Sequence, residues 1–263
     1  MIPLKINNFN HVKIQYCSDL HLEFPENKKY LLENPITPGG DILILAGDIV
    51  PFKVMNEHND FGDYVSSNFR YTYWVPGNHE YYYSEIEERS GKFVEKIRSN
   101  VLLVNNTSFV HDGVRLIFTT LWTALSGVNQ FAIQQQLSDF RVIKNKGRVF
   151  APDDYNQIHN SCLNYLKQEL AKNNCEQTIV VTHHVPTMLN YPEKYKGSNL
   201  NAAFAVELHD LIADSDIDFW IFGHHHQNGS DFTIEKAKLL TNQLGYVEFN
   251  EHMGFSGNKC IIV

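Results

Sequence analysis

The sequence predicts an α/β fold with ligand-binding chemistry gathered at strand ends, on three observations. Short apolar runs alternate with longer amphipathic stretches, the pattern of buried strands and covering helices. Ile42-Leu43-Ile44-Leu45 and Ile179-Val180-Val181 are apolar on both faces, as central strands of a covered sheet are. Five such runs end directly in residues able to bind a metal ion.

The strands are expected over 12–17, 42–46, 71–75, 101–104, 114–121, 178–181 and 219–222, then 232–241, 246–250 and 260–263, with a turn around 242–245. Helices are expected in three places. Ile86, Phe93, Val94 and Ile97 fall on one helical face after Tyr83. Pro152-Asp153 opens a stretch in which Ile158, Cys162, Leu166 and Leu170 recur every fourth residue, with Asp153 or Asp154 placed to favour the helix N-terminus. The third runs from 203 to 213. Two long stretches, 126–152 and 186–201, lack periodicity; loops of that length usually bind or cover something. No repeat or linker divides the chain, so residues 1–263 read as one domain.

Composition narrows the function. With 22 basic against 30 acidic side chains the formal charge is −8, which argues against stable nucleic-acid binding through phosphate neutralisation. A small phosphorylated substrate stays open, because bound cations can reverse the local field. No apolar run approaches the roughly 18 residues of a membrane span, and the N-terminus lacks the apolar core of a signal peptide. Cys17, Cys162, Cys175 and Cys260 show no Cys-x-x-Cys spacing, so a thiolate zinc site is not expected and a reducing cytoplasm is the default location.

The strand ends carry Asp19 and His21, Asp48, Asn78 with His79, His183, and His224 with His226. The carboxyl ends of parallel strands line a common crevice, so these side chains converge. Residues two apart on an extended backbone point to one side, which would pair Asp19 with His21 and His224 with His226 while His225 points away. Gly47, Gly77 and Gly223 precede the ligands where the chain must turn or other backbone must approach closely. Carboxylate, imidazole and amide oxygen without thiolate suit Mn, Fe or Zn. Asp48, in the middle of the set, is the natural bridge between two ions through its two oxygens. Taken singly, each block is a common turn or strand end. Five in order, each at a strand end, have no structural explanation.

Asp19-x-His21, Gly47-Asp48, Gly77-Asn78-His79-Glu80, His183 and Gly223-His224-x-His226 together closely resemble the calcineurin-like metallophosphoesterase superfamily. The resemblance implies a four-layer α/β/β/α sandwich of two mixed sheets flanked by helices. It implies two divalent metal ions, Mn favoured with Fe, Zn or Ni as alternatives. Asp19, His21 and His226 would hold one ion, Asn78, His183 and His224 the other, and Asp48 both. His79 matches the histidine that contacts phosphate and protonates the leaving oxygen. In one respect the chain departs: Pro51 stands where many members carry an acidic residue or a tyrosine, so a tyrosinate–iron centre is not expected and His79 needs another orienting partner.

The expected activity is hydrolysis of a small phosphodiester or nucleotide by attack of a bridging metal hydroxide. A phosphomonoesterase or protein phosphatase is the alternative, and a non-catalytic scaffold the third reading. Trp122 is expected to pack in the core rather than stack on substrate. Arg141 is expected at the surface rather than on a phosphate. His11, His58, His111, His159, His209 and His252 are expected to face solvent. His184 and His225, beside the ligands, are set down as neighbours rather than substrate contacts.

Overall fold

The computed structural model describes residues 12–125, 127, 129–172 and 175–263. In chain order the strands are β1 (Lys13–Cys17), β2 (Ile42–Ala46), β3 (Tyr71–Val75), β4 (Phe93–Arg98), β5 (Val101–Asn105), β6 (Thr107–His111), β7 (Val114–Phe118), β8 (Lys144–Asn145), β9 (Arg148–Val149), β10 (Gln177–Val181), β11 (Phe219–Phe222), β12 (Phe232–Ile234), β13 (Ala237–Thr241) and β14 (Cys260–Ile262). The helices are α1 (Pro25–Glu33), α2 (Asn59–Asn68), α3 (Asn129–Gln136), α4 (Asp139–Val142), α5 (Pro152–Leu170) and α6 (His209–Ala213).

Two six-stranded sheets run in the orders β14-β1-β2-β3-β5-β4 and β12-β13-β11-β10-β7-β6. Each has four parallel central strands and an antiparallel strand at either edge. Side-chain alternation divides each strand between two layers. Ile42, Ile44 and Ala46 of β2 meet Phe118, Ile179 and Val181 of the second sheet in the core between the sheets. Leu43 and Leu45 face outward onto Val65 of α2 and Phe69. On the far side Val180, Trp220 and Leu239 lie under Leu166 of α5 and Ile212 of α6. Four layers result, as the sequence resemblance implies.

Helix α5 starts where its chemistry requires. Pro152 occupies the first turn, where no amide donor is needed, and the Asp154 carboxylate accepts from the Ala151 amide at 3.0 Å. Cys162, Leu166 and Leu170 form the buried stripe.

Several expectations are corrected. The segment after Tyr83 is not one helix: a 3₁₀ turn, Ile86–Arg89, is followed by β4, antiparallel to β5. Phe93 and Ile97 pack on the core while Val94 is half exposed. Residues four apart share a face in both helix and strand, and Gly91 at φ +69° breaks the continuity a helix needs. The third helix shrinks to α6, because Ala205 bridges to Val185 instead and Glu207 caps the His209 amide at 2.9 Å. The expected strand 232–241 is a hairpin, turned at Glu235 (φ 47°), and 246–250 holds a 3₁₀ turn, Val247–Phe249. The strand from Val114 ends at Phe118, before Leu121 turns at φ 52°. Helices α1 and α2 and strand β6 are additional.

The stretch 126–152, where described, contains α3, α4 and the β8–β9 hairpin. His159 does not face solvent: it is buried, with Nδ1 2.5 Å from the Trp122 carbonyl oxygen. His111, half buried, meets the Tyr73 hydroxyl at 2.6 Å, and His58 and His252 are also partly covered. His209 is exposed, and His11 lies outside the described residues. Trp122 is a core residue against Tyr155 and Phe150. Arg141 is exposed, donating to the Gln136 carbonyl.

Candidate metal centre

Three strand ends of the first sheet (β1, β2, β3) and two of the second (β10, β11) meet at one rim of the sandwich. There the structure gathers two overlapping donor groups, Asp19, His21, Asp48 and His226 in one, and Asp48, His183 and His224 in the other. Asn78 adjoins the second, its Oδ1 3.2 Å from His183 Nε2. The side chains of a pair do converge, but not along extended backbone. Asp19, His21, Asp48, His224 and His226 all have positive φ, between 46° and 81°. Each of these five therefore sits on a left-handed kink that turns it into the crevice, whereas Asn78 does not (φ −78°).

Close approach demands glycine at two of the three marked positions most plainly. A Cβ on Gly47 would stand 2.2 Å from His183 Nδ1, and one on Gly77 2.1 Å from Asp48 Oδ1.

Hydrogen bonds fix which ring nitrogen is left for a cation. His183 Nδ1 lies 3.0 Å from the Ala46 carbonyl oxygen, an acceptor only, so Nδ1 carries the proton and Nε2 the lone pair. That Nε2 faces His224 Nδ1 at 3.0 Å, Asn78 Oδ1 and Asp48 Oδ2 at 3.4 Å. His226 Nδ1 meets the Glu251 carboxylate at 2.7 Å, leaving Nε2 3.1 Å from His21 Nε2 and 3.4 Å from Asp19 Oδ1. Lone pairs crowded this way inside a buried site lack a positive partner; the donor set fits two divalent cations. Protons compete for the same positions. Burial works against protonation, but Asp48 pushes His183 up to about 9, and Asp19 with Glu251 pushes His226 up to about 10.

Asp48 lies between the groups. Its Oδ1 accepts from the His79 amide at 2.9 Å, and Oδ2 faces both His183 Nε2 and His21 Nε2, the latter at 3.8 Å. Burial alone would raise its pKa, yet His183 and His79 hold it well below the usual carboxylate range.

Four acidic residues to which the sequence analysis assigned no role, Glu80 of the Gly77–Glu80 motif among them, support the ligands. Glu80, wholly buried, accepts from the amides of Asp48 (2.9 Å), Ile49 (2.7 Å) and Gly77 (2.7 Å) and from Trp74 Nε1 (2.9 Å). It ties the β2 and β3 loops together; burial and Asp48 push its carboxyl pKa up, and the Ile49 and Trp74 donors, which need it ionised, pull it down. Asp139 Oδ2 lies 3.4 Å from Asn78 Nδ2, which turns the Asn78 oxygen towards His183. Glu251 holds His226. Glu23 Oε1 is 3.3 Å from His21 Nδ1 and 3.5 Å from His79 Nδ1. A carboxylate is the usual partner of a ligating histidine's second nitrogen, but only Glu23, two residues after His21, was within reach of a sequence guess.

A cavity of about 360 Å³ opens over the centre. Asp48, Asn78, His79 and His224 form its floor, and Tyr191 and Tyr246 stand in its walls. His225 also lines it, held by Gln243 Nε2 at 3.0 Å, whereas His184 is buried behind His224. No lysine or arginine lines this cavity among the described residues. No helix among them is long and apolar enough to cross a membrane.

Residues 12–228 match the calcineurin-like phosphoesterase family. An uncharacterised protein of Acanthamoeba polyphaga mimivirus is 31% identical over 259 residues, 89% of this chain and 91% of that protein. The structure is similar to phosphopantetheinyl hydrolase from Mycobacterium tuberculosis, with a TM-score of 0.66 and 15% identity over 96% of each chain. A dimetal phosphatase from Danio rerio is similar with a TM-score of 0.51 and 12% identity, over 96% of this chain and 98% of that one. These two likenesses concern the fold.

Proposed function

Because the chain belongs to the calcineurin-like phosphoesterase family and is a metal-dependent phosphoesterase, we propose that its substrates are small phosphodiesters, nucleotides with an internal or cyclic diester among them. Asp19, His21 and His226 would hold one divalent ion, Asn78, His183 and His224 the other, and Asp48 both. Manganese is favoured, with iron, zinc or nickel as alternatives for a nitrogen and oxygen donor set. When bound, the ions draw electron density from the phosphoryl oxygens and acidify water.

The chain's own residues do the rest. Asp48 Oδ2 fixes the spacing of the two groups, and the His79 amide keeps Oδ1 from swinging between them. The His79 ring is stacked on Tyr82 with centroids 4.1 Å apart, and its Nε2 lies 3.3 Å from the Tyr246 hydroxyl. From the cavity floor it can give a proton to the leaving oxygen. Burial opposes its protonation, but Asp48 and Glu23 outweigh it and raise its pKa, which keeps that proton available near neutral pH.

The observation that carries the diester preference is a cavity lined, among the described residues, by no lysine or arginine. The donor set contains two carboxylates, so two divalent ions leave about two positive charges for all anionic ligands. A singly charged diester is balanced there. A dianionic monoester needs the further positive charge that a guanidinium would give, and none lines the wall among the described residues. Tyr191, Tyr195 and Tyr246 offer instead an uncharged surface for the alcohol arms. A non-catalytic scaffold would have no reason to retain a complete donor set.

The test compares kcat/KM for bis-p-nitrophenyl phosphate, cyclic nucleotides and p-nitrophenyl phosphate with Mn, Zn and Ni supplied separately. Diesters are expected to be preferred at least tenfold; faster turnover of the monoester with every metal would refute the proposal.

A further inference from the structure

His79 Nδ1 is a buried ring nitrogen without a hydrogen-bond partner among the described residues. Pro51 stands at the position where the family resemblance places an acidic residue, and Asp48 is engaged with the His79 backbone amide. One acidic atom stands in position: Glu23 Oε1, 3.5 Å away and mostly buried. The same oxygen touches His21 Nδ1 at 3.3 Å. Glu23 thus sits at the junction between a metal ligand and the residue read above as the acid.

We propose that Glu23 is the positioning residue for His79, holding its Nδ1–H so that Nε2 is presented to the leaving oxygen. The inference rests on the acid reading of His79. Hydrogen bonds at catalytic groups are commonly long before substrate binds and tighten afterwards, and a small rotation of the ring closes 3.5 Å to bonding distance. Stacking on Tyr82 leaves rotation in its own plane as the free motion, which is the motion a carboxylate at Nδ1 arrests. At the other end the Tyr246 hydroxyl, 3.3 Å from Nε2, yields that position to the ester oxygen. As the oxygen of a water-derived hydroxide bonds to phosphorus, the P–O bond to the alcohol breaks, the alcohol oxygen takes the Nε2 proton, and the ring is left neutral with its proton on Nδ1, against Glu23. Solvent returns the Nε2 proton after the alcohol departs. Through the shared oxygen, the carboxylate also fixes His21 as an Nε2 donor, so acid and donor set keep a constant separation.

A merely structural glutamate and a positioning one differ in what they do to the dependence on leaving group. The Glu23→Gln variant keeps the shape and loses the charge. Its kcat should fall about 10- to 100-fold with alkyl diesters, part of the ~10²–10⁴ that general acid catalysis supplies. With a p-nitrophenyl leaving group, which departs without a proton, the loss measured at saturating metal should be at least about threefold smaller, because weakening of the His21 contact affects both esters alike. Glu23→Asp, which retains the charge, should recover part of the loss. On a His79→Asn background Glu23→Gln should cost nothing further with alkyl esters. As a readout independent of turnover, ¹⁵N spectra of the metal-free protein, recorded at a pH alkaline enough for the His79 ring to be neutral, should show its proton on Nδ1 in the wild type and a mixture of tautomers in Glu23→Gln. Equal losses for aryl and alkyl esters in Glu23→Gln, with His79→Asn still selective for alkyl esters, would overturn the role of Glu23 alone. Equal losses in His79→Asn would overturn the acid reading and this inference with it.

Discussion

Glu80 offers the sharpest test of how the centre is held. Replacing it by glutamine preserves volume but exchanges one acceptor oxygen for an NH₂ group. Whichever way the amide turns, that group faces two donors: either Ile49 N and Trp74 Nε1, or Asp48 N and Gly77 N. Each buried donor left unsatisfied costs about 1–3 kcal/mol, so Glu80→Gln should destabilise the protein by about 2–6 kcal/mol. That is a large part of the ~5–15 kcal/mol that holds a domain folded. Urea unfolding of the metal-free protein measures it. A paired variant isolates the cause. Trp74→Phe removes one donor, so on that background the glutamine can turn its amide towards Ile49 alone, and its cost should fall by about 1–3 kcal/mol. A loss below about 1 kcal/mol, or strictly additive effects of the two substitutions, would refute the reasoning.

Three other outcomes follow from the same geometry. Asp48→Asn should lower the metal content below one ion per chain by elemental analysis, since both groups share its Oδ2; two tightly held ions would contradict the shared role. Gly77→Ala would place a Cβ 2.1 Å from Asp48 Oδ1 and 2.7 Å from His183 Cε1, so it should weaken metal binding at least 100-fold by calorimetry. Burial depresses His225 to about 4, and burial with His183 depresses His184 to about 3. Both are neutral in native and unfolded chains above pH 6.5; below it only the unfolded chain takes up their protons, and stability falls until pH passes the native values. The metal-free protein should therefore lose up to about 1.4 kcal/mol per pH unit for each histidine between pH 6 and 4. His225→Gln should show a shallower dependence in urea midpoints.

The ends of the central strands were legible because apolar runs and polar ligands adjoin so abruptly there: Ile42 to Asp48 spells a buried strand and its functional terminus in seven letters. What misled was periodicity shared by two structures. Phe93 and Ile97 fit a helix as well as a strand, and only the backbone at Gly91 decides. Helix α1 was illegible because its one fully buried residue is polar, although Tyr30 and Leu31 also pack on the core. Asn27 donates to the carbonyls of Leu20 and Gly245 at 2.9 and 2.7 Å, so it locks the loop below His21 by hydrogen bonds that no hydrophobic pattern reveals. At the site the donor residues announced themselves by spacing, whereas Asp139 and Glu251 reach Asn78 and His226 across 61 and 25 residues of chain. His159 was misplaced for a related reason. A histidine on a helix reads as polar, yet a single carbonyl of Trp122 suffices to satisfy it inside.

The left-handed kinks beneath Asp19, His21, Asp48, His224 and His226 carry an evolutionary consequence. A side chain in that conformation costs about 1–2 kcal/mol relative to glycine. The architecture thus bears a standing conformational debt at the rim, tolerated for what the rim can do. A lineage that exchanged one of these residues for glycine would forfeit chemistry and relax its backbone in the same step. Inactive descendants of such a sandwich should consequently arise readily and melt at higher temperature than their working ancestors.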